Sequence, residues 1–219
     1  MKNIKEKVEA KLKEPKKDEK KGVNVVIEPM NLSAIKVKIK GLKPLLMDKF
    51  PERAKLDILG KQTGISKSNK KKVRDTKEET EEAIHRTASG KIGYPAHGFK
   101  MGMMEVTSFV GDKFFSKKLV SGAVKIMNAE DGLIPIQFKK QSVLIHNIEC
   151  NTKFSPQFHD WECDLVITYD ANNISPNDIV TLLNYSGFYV GVGAWRPKGK
   201  KGGSGEFGMY KVDMGEQKK

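Results

Sequence analysis

The chain has 219 residues, 38% hydrophobic and 31% charged, and its 40 Lys and Arg against 27 Asp and Glu give a net charge of +13. That length and apolar fraction allow one domain with a real core plus a tail, and no apolar run reaches the roughly eighteen residues of a membrane span. Cys150 and Cys163 are too few for a disulfide framework and lack metal-ligand spacing, so a cytoplasmic protein without metal or cofactor is the expectation.

Residues 1–22 mix Lys with acids around Pro15 and hold no apolar stretch. They read as a disordered charged tail rather than a secretory signal. A single α+β domain is expected over 23–214, with a flexible end at 215–219. VNVVI (23–27) is a short strand candidate. In SAIKVKIKG (33–41), Ile35, Val37 and Ile39 alternate with Lys36, Lys38 and Lys40, which makes a strand with three ammonium groups on one face. Such a face is either a solvated exterior or a platform for nucleic acid.

PERAKLDILGKQ (51–62) predicts a short helix begun by proline and carrying Ala54, Leu56, Ile58 and Leu59. A basic loop, KQTGISKSNKKKVRDTK (61–77), follows with Lys70, Lys71, Lys72 and Arg74, and EETEEAIHR (78–86) reads as a polar helix. After the break at SGKIGYPAHG, FKMGMMEVTSFV (99–110) repeats Phe99, Met103, Val106 and Val110 at helical spacing. Gly98 and Gly102, four apart, would let another backbone come close to that helix. KLVSGAVKIM, GLIPIQF and SVLIHNIEC, between 118 and 150, read as strands.

WECDLVITY (161–169) alternates Cys163, Leu165, Ile167 and Tyr169 with polar neighbours. Ser175 then predicts an N-cap, Pro176 the first helical position, and Asp178 the return half of a capping box. Ile174 and Ile179 have staple spacing, Ile179, Leu182 and Leu183 form the buried stripe, and Gly187 supplies a left-handed stop. FYVGVG (188–193) and EFGMYKVDM (206–214) complete a βαβ-type unit. The economical fold is a ferredoxin-like (RRM-like) α+β antiparallel sheet, with helices on one face and basic loop insertions.

The positive charge is clustered. Residues 1–22 carry a net +4, 61–77 carry +6 and 195–201 carry +4, which leaves the other residues at −1. Clustering of this kind favours a polyanionic partner over a uniform solubility coat. GVGAWRPKGKKGGSGEFG (191–208) holds seven glycines, four cations and Trp195. Glycine lets peptide N–H groups approach phosphate, Arg196 offers a planar fork, and the Trp195 indole is either a face for a base or a core anchor beside a turn. The predicted contacts here are Gly193, Trp195, Arg196, Lys198, Lys200, Lys201 and Gly203.

No phosphate-binding loop of the Gly-x4-Gly-Lys type occurs, and no two of His85, His97, His146 and His159 sit one helical turn apart. Asp48, in the loop after the Lys-faced strand, is either a helix-capping or solvated aspartate or a general acid or metal ligand. Tyr94 through Met103, with Pro95, His97, Gly98, Lys100 and Gly102, together with the glycine-rich loop, resembles the two signatures of the repeat-associated (RAMP) superfamily. Pro44 to Met47 and Gly191 to Pro197 also resemble uncharacterised bacteriophage proteins. The RAMP resemblance implies a modified ferredoxin-like fold that binds RNA, with His97, Lys100 and the backbone of Gly191 to Gly208 near the phosphates. Where that family has an arginine shortly after the lysine, this chain has Met104 and Glu105.

The expectation is a non-catalytic protein of phage or mobile-element origin that binds single-stranded nucleic acid, with oligomerisation or a filament along the strand left open. A virion structural or accessory protein is the alternative, and an RNA-cleaving enzyme using Asp48 a second one.

Overall fold

The structure, a computed structural model, describes residues 29–64, 75–110, 115–148, 151–198 and 205–214. The charged tail, the VNVVI strand, the core of the first basic loop and residues 215–219 lie outside the described residues.

The first strand, β1 (Leu32–Gly41), forms where alternation predicts it, with Val37 and Ile39 buried and the lysines out. It runs antiparallel to both β8 (Glu162–Asp170) and β9 (Tyr210–Asp213), and β8 runs antiparallel to β4 (Val124–Ile126). The sheet order is β4-β8-β1-β9. Hence β1 and β4 are parallel with β8 between them, linked through α3 (Ala96–Val110). Likewise β8 and β9 are parallel with β1 between them, linked through α5 (Pro176–Tyr185). Two interleaved split β-α-β units are the ferredoxin-like arrangement.

Phe99, Met103 and Val106 of α3 and Ile179, Leu182 and Leu183 of α5 join Cys163, Leu165, Ile167 and Tyr169 of β8 in one core. The helices therefore cover one face of the sheet. Cys163 is a free buried thiol, and burial pushes its ionisation well above the ordinary thiol range.

Insertions decorate this frame. Between β1 and α3 lie β2 (Leu45–Leu46), α1 (Glu52–Gln62), α2 (Thr76–Glu82) and β3 (Gly93–Pro95). Between α3 and β8 lie α4 (Lys117–Ala123), β4, β5 (Leu133–Pro135) and the hairpin of β6 (Lys140–Ile148) and β7 (Asn151–His159). β7 also pairs with β2, giving a second sheet ordered β2-β7-β6. No residue of α1 is buried, and Leu56, Ile58 and Leu59 stay exposed.

The capping box of α5 is present in full: the Ser175 hydroxyl accepts from the Asp178 N–H at 3.2 Å, and the Asp178 carboxylate accepts from the Ser175 N–H at 2.8 Å. Ser175→Ala is expected to lower unfolding free energy by about 1 kcal/mol, read as a shifted denaturant midpoint at unchanged slope.

Three expectations are corrected. KLVSGAVKIM is not one strand: the Ser116 hydroxyl accepts from the Leu119 N–H at 3.1 Å and starts α4, and β4 begins only at Val124. FYVGVG is not a strand, because Ser186–Val190 forms a π-helical turn that prolongs α5. The Gly191 N–H closes that turn on the Ser186 carbonyl at 2.8 Å. Gly187 is not the left-handed stop; that role falls to Gly191, with φ of 65°. A Cβ on Gly187 would overlap the Tyr210 carbonyl oxygen and lie 2.7 Å from that ring, so glycine is needed there for close packing of the turn on β9. The buried Ser186 and Tyr210 hydroxyls, 2.9 Å apart, tie the same two elements. Gly102 does admit a close neighbour, the Ser186 side chain, whereas Gly98 faces the ring of Tyr94.

Candidate functional site

The described ends of the glycine-rich loop, 191–198 and 205–208, are anchored far more tightly than their composition implies. The Gly193 N–H donates to the Tyr94 hydroxyl at 2.7 Å, and the Ala194 N–H donates to the Leu46 carbonyl at 2.9 Å. The Val192 N–H donates to Gly208 at 3.0 Å, the Gly208 N–H to Pro44 at 2.8 Å, and the Phe207 N–H to Trp195 at 3.2 Å. Gly193 and Gly208 serve this packing. A Cβ on Gly193 would sit 2.5 Å from the Leu46 carbonyl oxygen, and one on Gly208 would overlap the Val192 carbonyl. The expectation that these peptide N–H groups reach phosphate is therefore corrected at these positions, because protein carbonyls and one hydroxyl already occupy them.

What the anchored loop presents is side chains. Trp195 is 49% exposed and has a φ of 54°, a left-handed conformation that a bulky residue adopts only under strain. Its indole tilts against the His146 ring, with centroids 5.0 Å apart. Arg196 and Lys198 follow, both half-buried. The Lys198 ammonium lies over the Phe109 ring, 4.5 Å from its centroid. Lys200, Lys201 and Gly203 lie outside the described residues, as do Lys70, Lys71, Lys72 and Arg74.

Tyr94 and Gly193 come from the two segments that carry the family resemblance, and the fold joins them directly. Burial raises the Tyr94 hydroxyl above the ordinary phenol range, so it stays protonated beside Arg196. Lys100 does not share in this. Its ammonium donates to the Ser121 carbonyl at 2.8 Å, near the end of α4, where a helix C-terminus attracts cations. Partial burial, together with the neighbouring Lys125 ammonium, lowers its pKa. His97 is exposed at the start of α3.

The Lys-faced strand has acids beside its lysines. Lys36 pairs with Asp164 at 3.0 Å, Lys38 with Glu162 at 2.9 Å and Lys40 with Asp213 at 3.1 Å. The open sheet face is thus a lattice of both signs, since β8 and β9 supply carboxylates that inspection of β1 alone does not reveal. Asp48 is paired with Lys153. His146 lies nearby, its two ring nitrogens buried and without hydrogen-bond partners among the described residues. Partial burial, reinforced by the Lys153 charge, lowers its pKa and favours the neutral ring.

One feature escapes the sequence reading altogether. Phe109, Tyr189 and Tyr185 stack in a row: the Phe109–Tyr189 centroids are 5.5 Å apart with planes 11° off parallel, and Tyr189–Tyr185 are 5.9 Å apart at 6°. Phe188 meets Tyr189 edge-on at 5.4 Å. All four rings are substantially exposed. The signal lay in YSGFY, whose aromatics at i, i+3 and i+4 gather on one side only if the segment is helical.

Among the described residues, no helix is long and apolar enough to cross a membrane, and no three His, Cys, Asp or Glu side chains gather to hold a metal ion. No family model matches the chain, and no curated protein matches it. Among solved structures it is similar to a product complex of Cas6, at 11% identity and a TM-score of 0.31, over 81% of this chain and 50% of that one. The chain spans about half the length of that solved chain, and a likeness of this degree carries no conclusion about function.

Proposed function

We propose that this protein binds single-stranded nucleic acid, RNA or DNA, without cleaving it, and that Trp195, Arg196 and Lys198 form part of the contact surface. The observation that carries the reading is the strained left-handed backbone at Trp195, which holds a large indole half in solvent within a basic loop. Strain of this kind costs on the order of 1–3 kcal/mol and persists where the surroundings enforce it, commonly at ligand-contacting positions. Here the enforcement is visible in the bonds from Gly193, Ala194 and Phe207 that flank the residue. Neighbouring cations answer the phosphates and the exposed indole answers a base, a combination used for sequence-tolerant binding of single strands. The clustering of charge into three stretches supports the same partner.

The test is binding of a fluorescein-labelled 20-nucleotide oligo(dT) and oligo(U) by anisotropy. Trp195→Ala is expected to cost about 1–3 kcal/mol of binding, and Trp195→Phe much less, because a phenyl ring keeps a stacking face. Equal affinity for Trp195→Ala and the wild type removes Trp195 from the surface. Absence of any binding at low salt removes the function and favours a structural or accessory role.

A further inference from the structure

The row of exposed rings lies outside the residues assigned above, and it touches them at one point, through Lys198. Phe109 comes from the end of α3, while Tyr185, Phe188 and Tyr189 come from the end of α5 and the π-helical turn. Phe109 is 52% exposed, Tyr189 43%, Tyr185 41% and Phe188 58%. Stacking among themselves has not buried them. Centroid spacings of 5.5 and 5.9 Å at nearly parallel planes describe an offset stack, which leaves part of each ring face uncovered.

We infer that this aromatic row is a second contact site that takes the unpaired bases of the strand, a deepening that rests on the function proposed above. Two features favour bases over another occupant. Stacked rings with nearly parallel planes extend naturally by another flat π-system, whereas an apolar protein contact needs no such alignment. Lys198 caps Phe109 at 4.5 Å and belongs to the same loop as Trp195 and Arg196, so one strand can meet cation and rings together. The backbone of the strand is left to Lys198 and Arg196, and the row receives its bases.

The experiment compares labelled 20-nucleotide oligo(dT) with an abasic oligomer of equal length and charge, on the full chain. Wild type is expected to bind oligo(dT) at least about 10-fold more tightly than the abasic strand. Tyr189→Ala is expected to weaken oligo(dT) binding about 5- to 100-fold while leaving abasic binding unchanged, and Tyr189→Phe to restore it. Tyr185→Ala provides the same reading at the end of the row should Tyr189→Ala disturb folding, as checked by circular dichroism. If the wild type binds both strands equally, or if the variants leave oligo(dT) affinity unchanged, the row is not a base site, although nucleic-acid binding stands. If the variants instead dissociate an oligomer in sedimentation velocity with binding intact, the row is a protein interface and the inference is overturned. If the wild type binds neither strand, the proposed function itself fails and the inference fails with it.

Discussion

Gly187→Ala is expected to destabilise the protein by on the order of 3 kcal/mol, enough to remove much of the margin of a domain this size. The added methyl would overlap the Tyr210 carbonyl oxygen, a backbone atom of β9 that cannot move without disturbing the pairing of β9 with β1. The shared Ser186–Tyr210 hydrogen bond would be strained by the same displacement. Gly90 provides the contrast. Its φ of 79° is left-handed, yet a Cβ there meets nothing within 4 Å, so Gly90→Ala should cost only about 1–2 kcal/mol. Asparagine separates the two causes, because it tolerates the left-handed region: Gly90→Asn should recover part of the loss, and Gly187→Asn should not. Chemical denaturation of the four variants decides it. A mild effect at Gly187 would show that the turn can move away from β9 at little cost.

Affinity for oligo(dT) is expected to fall by two to three decades between about 50 and 200 mM salt. With roughly six phosphates neutralised on a single strand, the slope of log K against log salt is about −4. Arg196→Ala should flatten that slope by about 0.7, and replacing Lys70, Lys71, Lys72 and Arg74 together by Ala should flatten it further. Trp195→Ala and Tyr189→Ala should shift the line downward without changing its slope, since they remove stacking and no charge. A slope near zero would falsify the electrostatic part of the reading.

The main sheet and α5 are legible in the sequence because their signals are local and agree with each other. β8 alternates strictly, and Ser175, Pro176 and Asp178 form a start signal that needs no tertiary help. The π-helical turn was not legible. Phe188 to Gly193 carries aromatic and β-branched residues with two glycines, and only packing of Gly187 on Tyr210 decides that it coils rather than extends. β7 was missed for a related reason: Pro156 and polar residues interrupt its pattern, although Pro156 sits opposite Val143 within the hairpin. At the candidate site, the basic loop and Trp195 were visible as composition. The use of the loop's N–H groups was not, because Tyr94, Pro44 and Leu46 reach it from far along the chain. The acids facing Lys36, Lys38 and Lys40 escaped for the same reason.

Those paired charges have a consequence for how the central strand finds its place. Sliding β1 by one residue against β8 would turn Val37 and Ile39 to solvent, so burial alone forbids it. Sliding it by two keeps every apolar side chain inward, and burial discriminates far less between that arrangement and the native one. The outward face does discriminate. Glu162 and Asp164 stand at only one end of β8, and its next outward positions are Val166 and Thr168. Lys36 already stands opposite Val166 and reaches diagonally to Asp164, so a two-residue displacement toward those positions carries it opposite Thr168 and takes that carboxylate away. Lys36 thus acts as an alignment key for an even-numbered slip that hydrophobicity cannot detect.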